Sequence, residues 1–360
     1  MKICIIGNGL VSLTLAKALV NRGIKVDIFY ENKHNNYDQA RTLGISRSNI
    51  DFFNENILNI KKISWKIKDI KIYSENYRNN EILNFTDPNK YLFSIIQNYQ
   101  LYKKLNLELK KNKFFNYKRN VNLKNLINKN YKLIINCDKK HEITKKFFSK
   151  RLEKKYNSFA YTSLLEHKSI KKNDVAIQIF TNRGPVAYLP ISSNKTSVVC
   201  SLRISDAKDK IDVNDIIKKF NPKFKIKKIN KISKIELNSY NLRRYYKKNI
   251  LAFGDLTHTL HPLAGQGFNM SIRDIKELLK LIDKRINLGL DFDSSICVDF
   301  QNKTKNRNFI FSVGIDWVYE LFNFESKIKS NILNKSINII GKNKSINNFF
   351  KKFADQGLTI

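Results

Sequence analysis

Residues 251–274 constrain the fold of this 360-residue chain more than any other stretch, because they combine three kinds of local pattern. They read LAFGDLTHTLHPLAGQGFNMSIRD: an apolar run that ends at Gly254-Asp255, a loop, and Gly265-Gln266-Gly267 before apolar residues that recur about every 3.6 positions. This order predicts a strand, a loop and a helix. Glycines at a helix start let backbone N–H groups approach a ligand, and the helix dipole favours an electron-rich group there. The carboxylate of Asp255 suits sugar-like hydroxyl groups, so the stretch fits a flavin.

A second glycine-bearing turn lies near the start of the chain. Residues 2–6 have a short buried-strand pattern, and the run Gly7-Asn8-Gly9-Leu10-Val11-Ser12 follows as G-x-G-x-x-S ahead of a helical pattern. Another strand pattern, residues 25–30, leads to Glu31. In such a unit the first glycine permits the tight turn, the second lets a pyrophosphate approach the helix N-terminus, and the acid accepts hydrogen bonds from a ribose. We therefore expect a dinucleotide site, with Ser12 in place of the usual third glycine.

The stretch at 251–274 also resembles a known motif. GDLTHTLHPLAGQGFNMSIRD is similar to the second FAD motif of the flavoprotein aromatic-ring hydroxylases with the para-hydroxybenzoate hydroxylase fold, and most of all to the branch that works in ubiquinone biosynthesis. The resemblance implies an α/β (α+β) fold with a Rossmann-like FAD-binding domain, an antiparallel-sheet substrate domain and C-terminal helices. The expected boundaries are 1–62, 86–150 and 245–300 for the FAD-binding domain, 63–85 and 151–244 for the substrate-binding β-sheet domain, and 301–360 for the C-terminal helical region.

The resemblance further implies that FAD is the cofactor and assigns residues to it. Arg41 matches an arginine that contacts FAD, and Gln97 matches an acid or amide near the flavin, on a helix that the periodicity predicts over 91–105. Pro262 is expected to border the flavin ring. No side chain is assigned as an acid or base, because the cofactor carries the chemistry. The expected cofactor-binding residues are Gly7, Gly9, Leu10, Val11, Ser12, Glu31, Arg41, Gln97, Asp138, Gly254, Asp255, Pro262, Gly265, Gln266, Gly267, Phe268 and Asn269.

One position departs from the family pattern. Residues 131–138, YKLIINCD, predict a buried strand that ends in Asp138, where the family carries Asp-Gly in contact with FAD and the incoming NAD(P)H. Here Lys139-Lys140 follows the acid. The lost glycine removes easy access to positive φ in what is normally a compact turn. This departure bears on the step with NAD(P)H more than on FAD binding.

Two further patterns describe the rest of the chain. Apolar alternation with a period of two over 151–203, broken by Lys, Asn and Gly, predicts an antiparallel sheet that can wall an apolar pocket over the flavin. Apolar residues mixed with lysines over 328–358 predict a basic amphipathic helix. Such a helix suits a partner protein or a membrane surface, or it packs onto the body of the protein.

The resemblance implies an FAD-dependent monooxygenase that hydroxylates a polyprenylated aromatic ring in ubiquinone biosynthesis. NAD(P)H would reduce the FAD, O₂ would add to form a flavin C4a-hydroperoxide, and one oxygen atom would pass to a polyprenyl-phenol type substrate. Three alternatives remain: a hydroxylase for a small aromatic acid, a prenyl reductase, and a non-catalytic flavin-binding scaffold in a quinone-biosynthesis complex. A long apolar tunnel without a cationic clamp would favour the polyprenyl substrate over the small acid.

The charge of the chain bears on its partners. Lys and Arg total 67 against 31 acidic residues, which gives a net charge of +36, but the basic residues are dispersed and no nucleic-acid motif accompanies them. We therefore expect no nucleic-acid partner. Attraction to anionic lipid headgroups, at roughly 1 kcal/mol for each basic residue near such a surface, is the better account.

Cysteine usage and hydropathy bear on location. The four cysteines are far apart in sequence and form no C-x-x-C pair, which favours a reducing compartment. No apolar segment reaches the roughly 20 residues that span a bilayer. We expect a cytoplasmic protein, with peripheral contact at the inner face of a membrane as a further option.

His258 and His261 raise the question of a metal site. Their spacing fits two ligands, but zinc needs a third or fourth in a defined arrangement, and no cysteine or clustered acid completes the set. We expect no metal and assign these histidines to orienting the flavin loop.

Overall fold

The structure, a computed structural model, describes residues 1–31, 39–75, 81–87, 90–119, 126, 131–203, 212–260, 265–328 and 344–357. The strands in these residues are β1 (Lys2–Ile6), β2 (Lys25–Tyr30), β3 (Thr42–Ser46), β4 (Ser64–Ile67), β5 (Asp69–Ser74), β6 (Glu81–Thr86), β7 (Phe93–Gln97), β8 (Phe115–Arg119), β9 (Leu133–Asn136), β10 (Arg151–His167), β11 (Val175–Thr181), β12 (Gly184–Pro190), β13 (Lys195–Arg203), β14 (Ile226–Ile229), β15 (Ser233–Leu242), β16 (Tyr246–Lys247), β17 (Ile250–Ala252) and β18 (His258–Thr259). The α-helices are α1 (Leu10–Val20), α2 (Arg47–Asn56), α3 (Asn98–Lys110), α4 (Glu142–Phe147), α5 (Val213–Lys219), α6 (Gln266–Asn287), α7 (Ser294–Ile328) and α8 (Lys344–Gln356). Short 3₁₀ turns lie at Lys61–Ile63 and Gly254–Leu256. No helix in the described part of the chain is long and apolar enough to cross a bilayer.

A six-stranded sheet with the order β16-β17-β9-β1-β2-β8 forms the first layer. All neighbours from β17 to β8 are parallel, and only β16 runs antiparallel. Ile5 of β1 lies between Ile28 and Ile135, so the centre of the sheet is a continuous apolar layer. Parallel sheets are typically buried on both faces, which explains why these strands are mostly apolar. The predicted strands at 2–6 and 25–30 are confirmed residue for residue.

A nine-stranded sheet forms the second layer, in the order β18-β15-β10-β13-β12-β11-β5-β6 with β14 paired to β10. The antiparallel sheet predicted over 151–203 is confirmed by the pairs β10–β13, β13–β12 and β12–β11. The sequence did not indicate the parallel pair between β11 and β5, which brings residues 69–86 to the edge of this sheet. The boundaries of the two expected domains stay a prediction.

The expected helix over 91–105 is wrong in its first half. Residues Phe93–Gln97 form β7, which lies between β3 and β4 in a three-stranded antiparallel sheet, and the helix α3 begins only at Asn98. Ile95 packs into one apolar cluster and Ile96 into another, so both faces of the strand are buried. A strand buried on both faces carries adjacent apolar residues, and a short run of this kind does not distinguish strand from helix.

The C-terminal part of the chain packs against the body where the structure describes it. The helix expected within 328–358 is present as α8, while residues 329–343 and 358–360 lie outside the described residues. The ring of Phe353 in α8 stacks on Phe311 of α7, with centroids 4.7 Å apart. The carbonyl oxygen of Asp355 accepts hydrogen bonds from the hydroxyls of Ser46 and Ser48, each at 2.9 Å. Of the roles expected for this helix, the structure shows packing onto the body of the protein.

Candidate functional site

The parallel sheet brings four predicted site residues to one edge. Gly7 follows β1, Glu31 follows β2, Asp138 lies shortly after β9, and Asp255 lies shortly after β17. The carboxyl ends of parallel strands meet at the same edge of a sheet, where ligands of such folds bind. Backbone hydrogen bonds continue past the strand ends and fix this edge: the N–H of Gly7 donates to Phe29 at 2.8 Å.

The turn from Gly7 to Ser12 has the geometry that a phosphate-binding turn needs. Gly7 has φ +98°, and a Cβ there would lie 3.4 Å from Cβ of Asp138. Gly9 caps α1 in extended conformation, and a Cβ there would meet no atom within 4 Å. Ser12 is buried. The helix N-terminus behind Gly9 therefore faces open space, while the other side of the turn is packed.

The two glycine motifs touch each other at Gly254. This residue has φ +64°, and a Cβ on it would lie 2.8 Å from Cγ1 of Val11 in the first turn of α1. Leu10 and Val11 are both half-buried. A close contact of this kind accommodates only glycine, so the strand-end motif near residue 254 and the turn near residue 9 form one continuous surface.

Asp255 is held by its main chain and leaves its side chain exposed. Its carbonyl oxygen accepts hydrogen bonds from the hydroxyl of Tyr240 and from Oγ1 of Thr259, the latter at 3.1 Å. The residue is exposed to solvent. The carboxylate of Asp255 is thus exposed at the carboxyl edge of the parallel sheet, and hydrogen bonds fix its main chain.

The start of α6 contains the second group of predicted glycines and lies against β3. Gly265 caps the helix with φ +62°, and a Cβ on it would lie 3.4 Å from the backbone nitrogen of Gly44 in β3. A Cβ on Gly267 would meet nothing within 4 Å, so the first turn has an open side. Gln266 is buried, and no residue in the described part of the chain hydrogen-bonds to its Oε1. His261 and Pro262 lie outside the described residues.

Two of the predicted residues on α6 use their side chains inside the protein. Phe268 packs into the core around the parallel sheet. Asn269 donates from Nδ2 to the carbonyl of Gly44 at 2.7 Å, and its Oδ1 accepts from the N–H of Ser46 at 2.9 Å. These contacts fasten α6 to β3. What Phe268 and Asn269 can still offer a ligand is their main-chain N–H, since the first N–H groups of a helix have no partner within it.

The small sheet brings Arg41 and Gln97 together. Gln97 pairs with Thr42 across β3 and β7, and the N–H of Asn98 donates to the carbonyl of Arg41 at 3.0 Å. The side chain of Gln97 accepts from Nε2 of Gln100 at 2.8 Å, and Arg41 is exposed. Gln97 thus lies at a strand end and not on a helix, which places it beside the predicted FAD arginine.

The turn after β9 closes without a glycine. Oδ1 of Asp138 accepts from the N–H of Lys140 at 2.8 Å, and neither Lys139 nor Lys140 has positive φ. Nζ of Lys139 lies 3.1 Å from Oγ1 of Thr259 and 4.8 Å from the ring centroid of Tyr240. Lys139, which stands where the family has glycine, therefore extends toward the loop that carries Asp255.

His258 has a partner that the sequence did not indicate. It lies in β18, is buried, and its Nε2 is 2.8 Å from Oδ2 of Asp274 on α6. The same carboxylate accepts from Nδ2 of Asn308 on α7, at 3.0 Å and 3.1 Å to its two oxygens. The pair joins the flavin loop to the helix that follows it. The orienting role expected for His258 stays a prediction. Both residues belong to the stretch 251–274, but their separation of 16 residues in sequence does not predict that the two side chains meet.

Comparison with known families decides what this edge holds. Residues 130–287, which include Asp138, Asp255 and the start of α6, match a family model described as an FAD binding domain. Residues 130–287 therefore correspond to an FAD-binding domain.

Relatives of this flavoprotein fall in one group. The chain is 24% identical over 274 residues to the mitochondrial ubiquinone biosynthesis monooxygenase COQ6 of Schizosaccharomyces pombe, which covers 63% of this chain and 57% of the relative. It is 28% identical over 160 residues to the 3-demethoxyubiquinol 3-hydroxylase of Escherichia coli, with 41% and 40% covered. The chain thus spans less than two thirds of the length of either relative.

Solved structures show the same fold over the whole chain. The p-nitrophenol 4-monooxygenase of Pseudomonas putida superposes with a TM-score of 0.76 at 10% identity and covers 99% of this chain and 98% of its own. The flavoprotein therefore has the fold of the FAD-dependent aromatic-ring monooxygenases.

The residues at the edge of the parallel sheet fit FAD. Gly9 and Gly267 leave open space in front of two helix N-termini, and Gln266 has a buried oxygen without a partner in the described residues. Between them Asp255 presents an exposed carboxylate. A dinucleotide with a pyrophosphate, a polyhydroxy chain and an electron-poor ring supplies a partner for each of these groups.

Proposed function

We propose that this protein is an FAD-dependent monooxygenase that hydroxylates a polyprenylated aromatic ring in ubiquinone biosynthesis. The activities named for the two relatives support the reaction and the pathway. The resemblance of residues 254–274 to the ubiquinone branch supports the same assignment. The observation that carries the proposal is the contact between the two glycine motifs, at Gly254 and Val11, which gives one FAD molecule a continuous surface to bind.

Each part of that surface has a task. Glu31 would accept hydrogen bonds from the adenosine ribose, the turn at Gly9 would hold the pyrophosphate, and Asp255 would hold the ribityl chain. The main-chain N–H groups of Gly267 and Phe268 would face the pyrimidine end of the ring, where a helix N-terminus stabilises negative charge. FAD, when bound, supplies the transfer of electrons from NAD(P)H to O₂ and the insertion of one oxygen atom into the ring.

A buried apolar cluster joins the large sheet, the flavin loop, α6 and α7. It consists of Phe180, Leu260, Met270, Phe311 and Ile315. Phe180 belongs to the large sheet, Leu260 to the flavin loop, and the others to α6 and α7. Closing such a surface over the reaction keeps water away and protects reactive species from side reactions. In this proposal the large sheet forms one wall of the substrate site through Phe180.

The basic residues near Asp138 bear on the reductant. Lys139 stands where the family has glycine, and its ammonium group lies 3.1 Å from Thr259 in the loop beside Asp255. A dinucleotide such as NAD(P)H carries a pyrophosphate, and a cation at this edge lowers the cost of bringing that negative charge near the carboxylates of Asp138 and Asp255. The substitution is therefore compatible with a reductive step.

The charge of the protein supports peripheral contact with an anionic membrane, where polyprenylated substrates dissolve. The chain carries a net charge of +36, and electrostatic attraction needs no spanning segment. Binding to vesicles that contain an anionic phospholipid, lost at high salt and absent with neutral vesicles, is the expected result. Equal binding to both kinds of vesicle would contradict this contact.

The function is tested with reconstituted holoprotein. We expect yellow protein whose NAD(P)H oxidation accelerates when a prenylated 4-hydroxybenzoate or phenol is added, and a product heavier by one oxygen atom in mass spectrometry. A deletion strain should accumulate a quinone precursor that lacks one hydroxyl group. Protein that retains no FAD after reconstitution, or oxidises NAD(P)H without any hydroxylated product from either probe, contradicts the proposal.

A further inference from the structure

The solvent-facing side of α7 is apolar over two helical turns. Trp317 is 71% exposed, Ile310 48% and Phe309 41%, and Val313 is half-buried. Ile310, Val313 and Trp317 follow one another at spacings of three and four residues, so they share one face of the helix, and Phe309 borders it four residues before Val313. A surface helix of a soluble protein normally turns polar residues to this side. Contiguous exposed apolar residues indicate an interaction surface.

The opposite side of the same two turns is packed. Phe311 and Ile315 belong to the apolar cluster that lines the proposed substrate site. Between them, Oγ of Ser312 accepts a hydrogen bond from Nδ2 of Asn241 on β15 at 3.0 Å. An α-helix with its side chains is about 10–12 Å thick. The exposed apolar side of α7 is therefore separated from the substrate cluster by the thickness of one helix.

Strand β10 extends this surface beside α7. Leu152 is 45% exposed and pairs across the strands with Asn241, the residue that donates to Ser312. Cross-strand partners point to the same side of a sheet, so Leu152 lies on the side that faces α7. Two residues further on, Nζ of Lys154 lies 3.0 Å from Oε1 of Glu320 on α7. We define the α7 face by its exposed and half-buried apolar members: Leu152, Phe309, Ile310, Val313 and Trp317.

Basic residues border the α7 face where β10 begins. The N–H of Arg243 donates to the carbonyl of Lys150 at 3.0 Å, and both residues are exposed. Nη2 of Arg151 lies 3.4 Å from Oε2 of Glu153, so part of the positive charge is paired locally. Bases nevertheless exceed acids around this face. They are Lys150, Arg151, Lys154, Arg243 and Arg244, against Glu153, Asp316 and Glu320.

An anionic lipid surface fits the α7 face better than a second copy of the chain does. A symmetric dimer brings the same patch of both subunits together, so the excess positive charge would meet itself. An anionic bilayer presents the opposite charge at its headgroups and an apolar layer beneath them. Tryptophan is enriched at this boundary because its ring is amphipathic. Membrane contact of this kind combines apolar insertion with basic attraction, since either one alone is weak.

We propose that the α7 face docks on an anionic membrane, with Trp317 and Ile310 inserted at the headgroup level and Arg243 and Arg244 against lipid phosphates. The inference rests on the proposed function and names the surface through which the protein meets a membrane-dissolved substrate. A polyprenyl chain that leaves the bilayer at this face has only the thickness of α7 to pass before it reaches Phe311 and the cluster around it.

Tryptophan fluorescence tests the insertion directly. The chain has two tryptophans, and Trp65 is half-buried with its Nε1 donating to the carbonyl of Asn173 at 2.7 Å. In Trp65→Phe holoprotein, Trp317 is the only tryptophan. With phosphatidylcholine vesicles that contain phosphatidylglycerol, its emission should shift to the blue and brominated lipids should quench it, and pure phosphatidylcholine should do neither. Unchanged emission from protein that sediments with the anionic vesicles overturns the proposal.

Sedimentation with the same vesicles separates the α7 face from other apolar surface and needs no change at Trp65. Ile310→Ser combined with Trp317→Ser should weaken binding by about 10-fold or more, because two apolar side chains lose their burial. Leu288→Ser is the matched control, at a leucine that is 60% exposed just beyond the end of α6. It should leave binding unchanged. Flavin content and melting temperature check the fold of each variant.

A second pair of variants tests the charges. Arg243→Gln with Arg244→Gln should weaken vesicle binding by about 10-fold, since each basic residue near an anionic surface contributes to attraction. Lys227→Gln with Lys228→Gln removes the same charge from exposed positions on β14. Lys228 pairs with Glu166 far along β10, roughly 40 Å from Leu152 and several screening lengths away at physiological salt. This control should change little, and equal losses in both pairs would show that net charge alone binds the protein.

The outcomes separate the docking surface from the proposed function, because vesicle binding requires no turnover. If the serine variants at 310 and 317 bind vesicles as the wild type does, the surface is wrong and the hydroxylase stands. If Trp317 inserts but no probe is hydroxylated, the surface stands and the reaction is wrong. If Trp317→Ser converts a concentration-dependent dimer to a monomer and leaves vesicle binding unchanged, a second copy covers the face and the proposal fails.

Discussion

Gly254 and Val11 lie so close that a single methyl group on the glycine would approach Cγ1 of the valine to 2.8 Å. Gly254 lies two residues after β17 and immediately before Asp255, and Val11 lies in the first turn of the helix that follows the Gly7–Gly9 turn. The contact fixes the two halves of the cofactor surface relative to each other. It also makes the glycine necessary for two separate reasons, its positive φ and its lack of a side chain.

Gly254→Ala should therefore lower both stability and flavin retention. The left-handed backbone alone costs an alanine about 1–2 kcal/mol, and the clash with Val11 adds to it. Gly289→Ala is the matched control, because Gly289 has the same φ of +64° and open space around it. Chemical denaturation should show a larger loss for Gly254→Ala than for Gly289→Ala. Equal losses would mean that the contact with Val11 does not contribute to the free energy of unfolding.

Asp255→Ala should reduce FAD retention while the fold persists. The carboxylate is exposed at the cleft, and its backbone is fixed by Tyr240 and Thr259, so removing the side chain removes binding and little packing. The ratio of flavin absorbance to protein after gel filtration measures the effect, and circular dichroism checks the fold. Asp299→Ala, at an exposed acid on α7, should retain full flavin content. Unchanged occupancy in Asp255→Ala would show that the ribityl contact lies elsewhere.

The buried pair of His258 and Asp274 should contribute to stability. His258→Ala removes a hydrogen bond at 2.8 Å and leaves the carboxylate with fewer donors, at a cost of about 1–3 kcal/mol in the free energy of unfolding. His258→Gln can still donate to Asp274 and should recover part of the loss. The double variant His258→Ala with Asp274→Asn should lose less than the sum of its single changes. Strict additivity in urea denaturation would refute the coupling.

Asp27 should make the protein sensitive to acid. Burial acts to raise the pKa of this carboxyl, but hydrogen bonds from Lys118, Tyr131 and Lys2 outweigh burial and hold the pKa below its ordinary value of 3.8. The resulting stability is complete above pH 3.8 and is lost as the pH falls through the lowered pKa.

The comparison for this pH effect is Asp27→Asn against wild type. At pH 7 we expect the variant to lose about 1–2 kcal/mol of unfolding free energy, because a buried charge-assisted network is removed. At pH 3 the two proteins should differ less. Asp291→Asn, which breaks an exposed pair with Lys132, should change little at either pH. A constant gap between wild type and Asp27→Asn at both pH values would contradict the assignment.

Local pattern was sufficient to predict the first two strands of the parallel sheet. The runs at 2–6 and 25–30 are mostly apolar apart from Lys2, Lys25 and Asp27, and they form strands at the predicted positions. Gly9 and Gly265 cap helices, as glycines ahead of apolar periodic runs predict. These features depend on residues that are neighbours in sequence, so the local sequence pattern is sufficient to predict them.

Features that depend on distant partners could not be predicted in this way. Phe93–Gln97 form a strand because β3 and β4 pair with it on either side, and its own apolar spacing also fits a helix. The turn after Asp138 closes without glycine because the side chain of Asp138 accepts from the N–H of Lys140. Arg273 is enclosed by Phe311 of α7 and by Gly357 after α8, both distant in sequence, so its burial could not be predicted from its own helix.

Strand β3 is held from two sides, by Asn269 at the start of the flavin helix and by Asp355 near the end of α8. Ser46 makes both contacts, one through its N–H and one through its hydroxyl. Because one serine makes both contacts, a displacement of either helix changes the hydrogen bonding of Ser46. Thermodynamic linkage makes any resulting coupling reciprocal: the factor by which FAD changes the affinity for the substrate equals the factor by which the substrate changes the affinity for FAD.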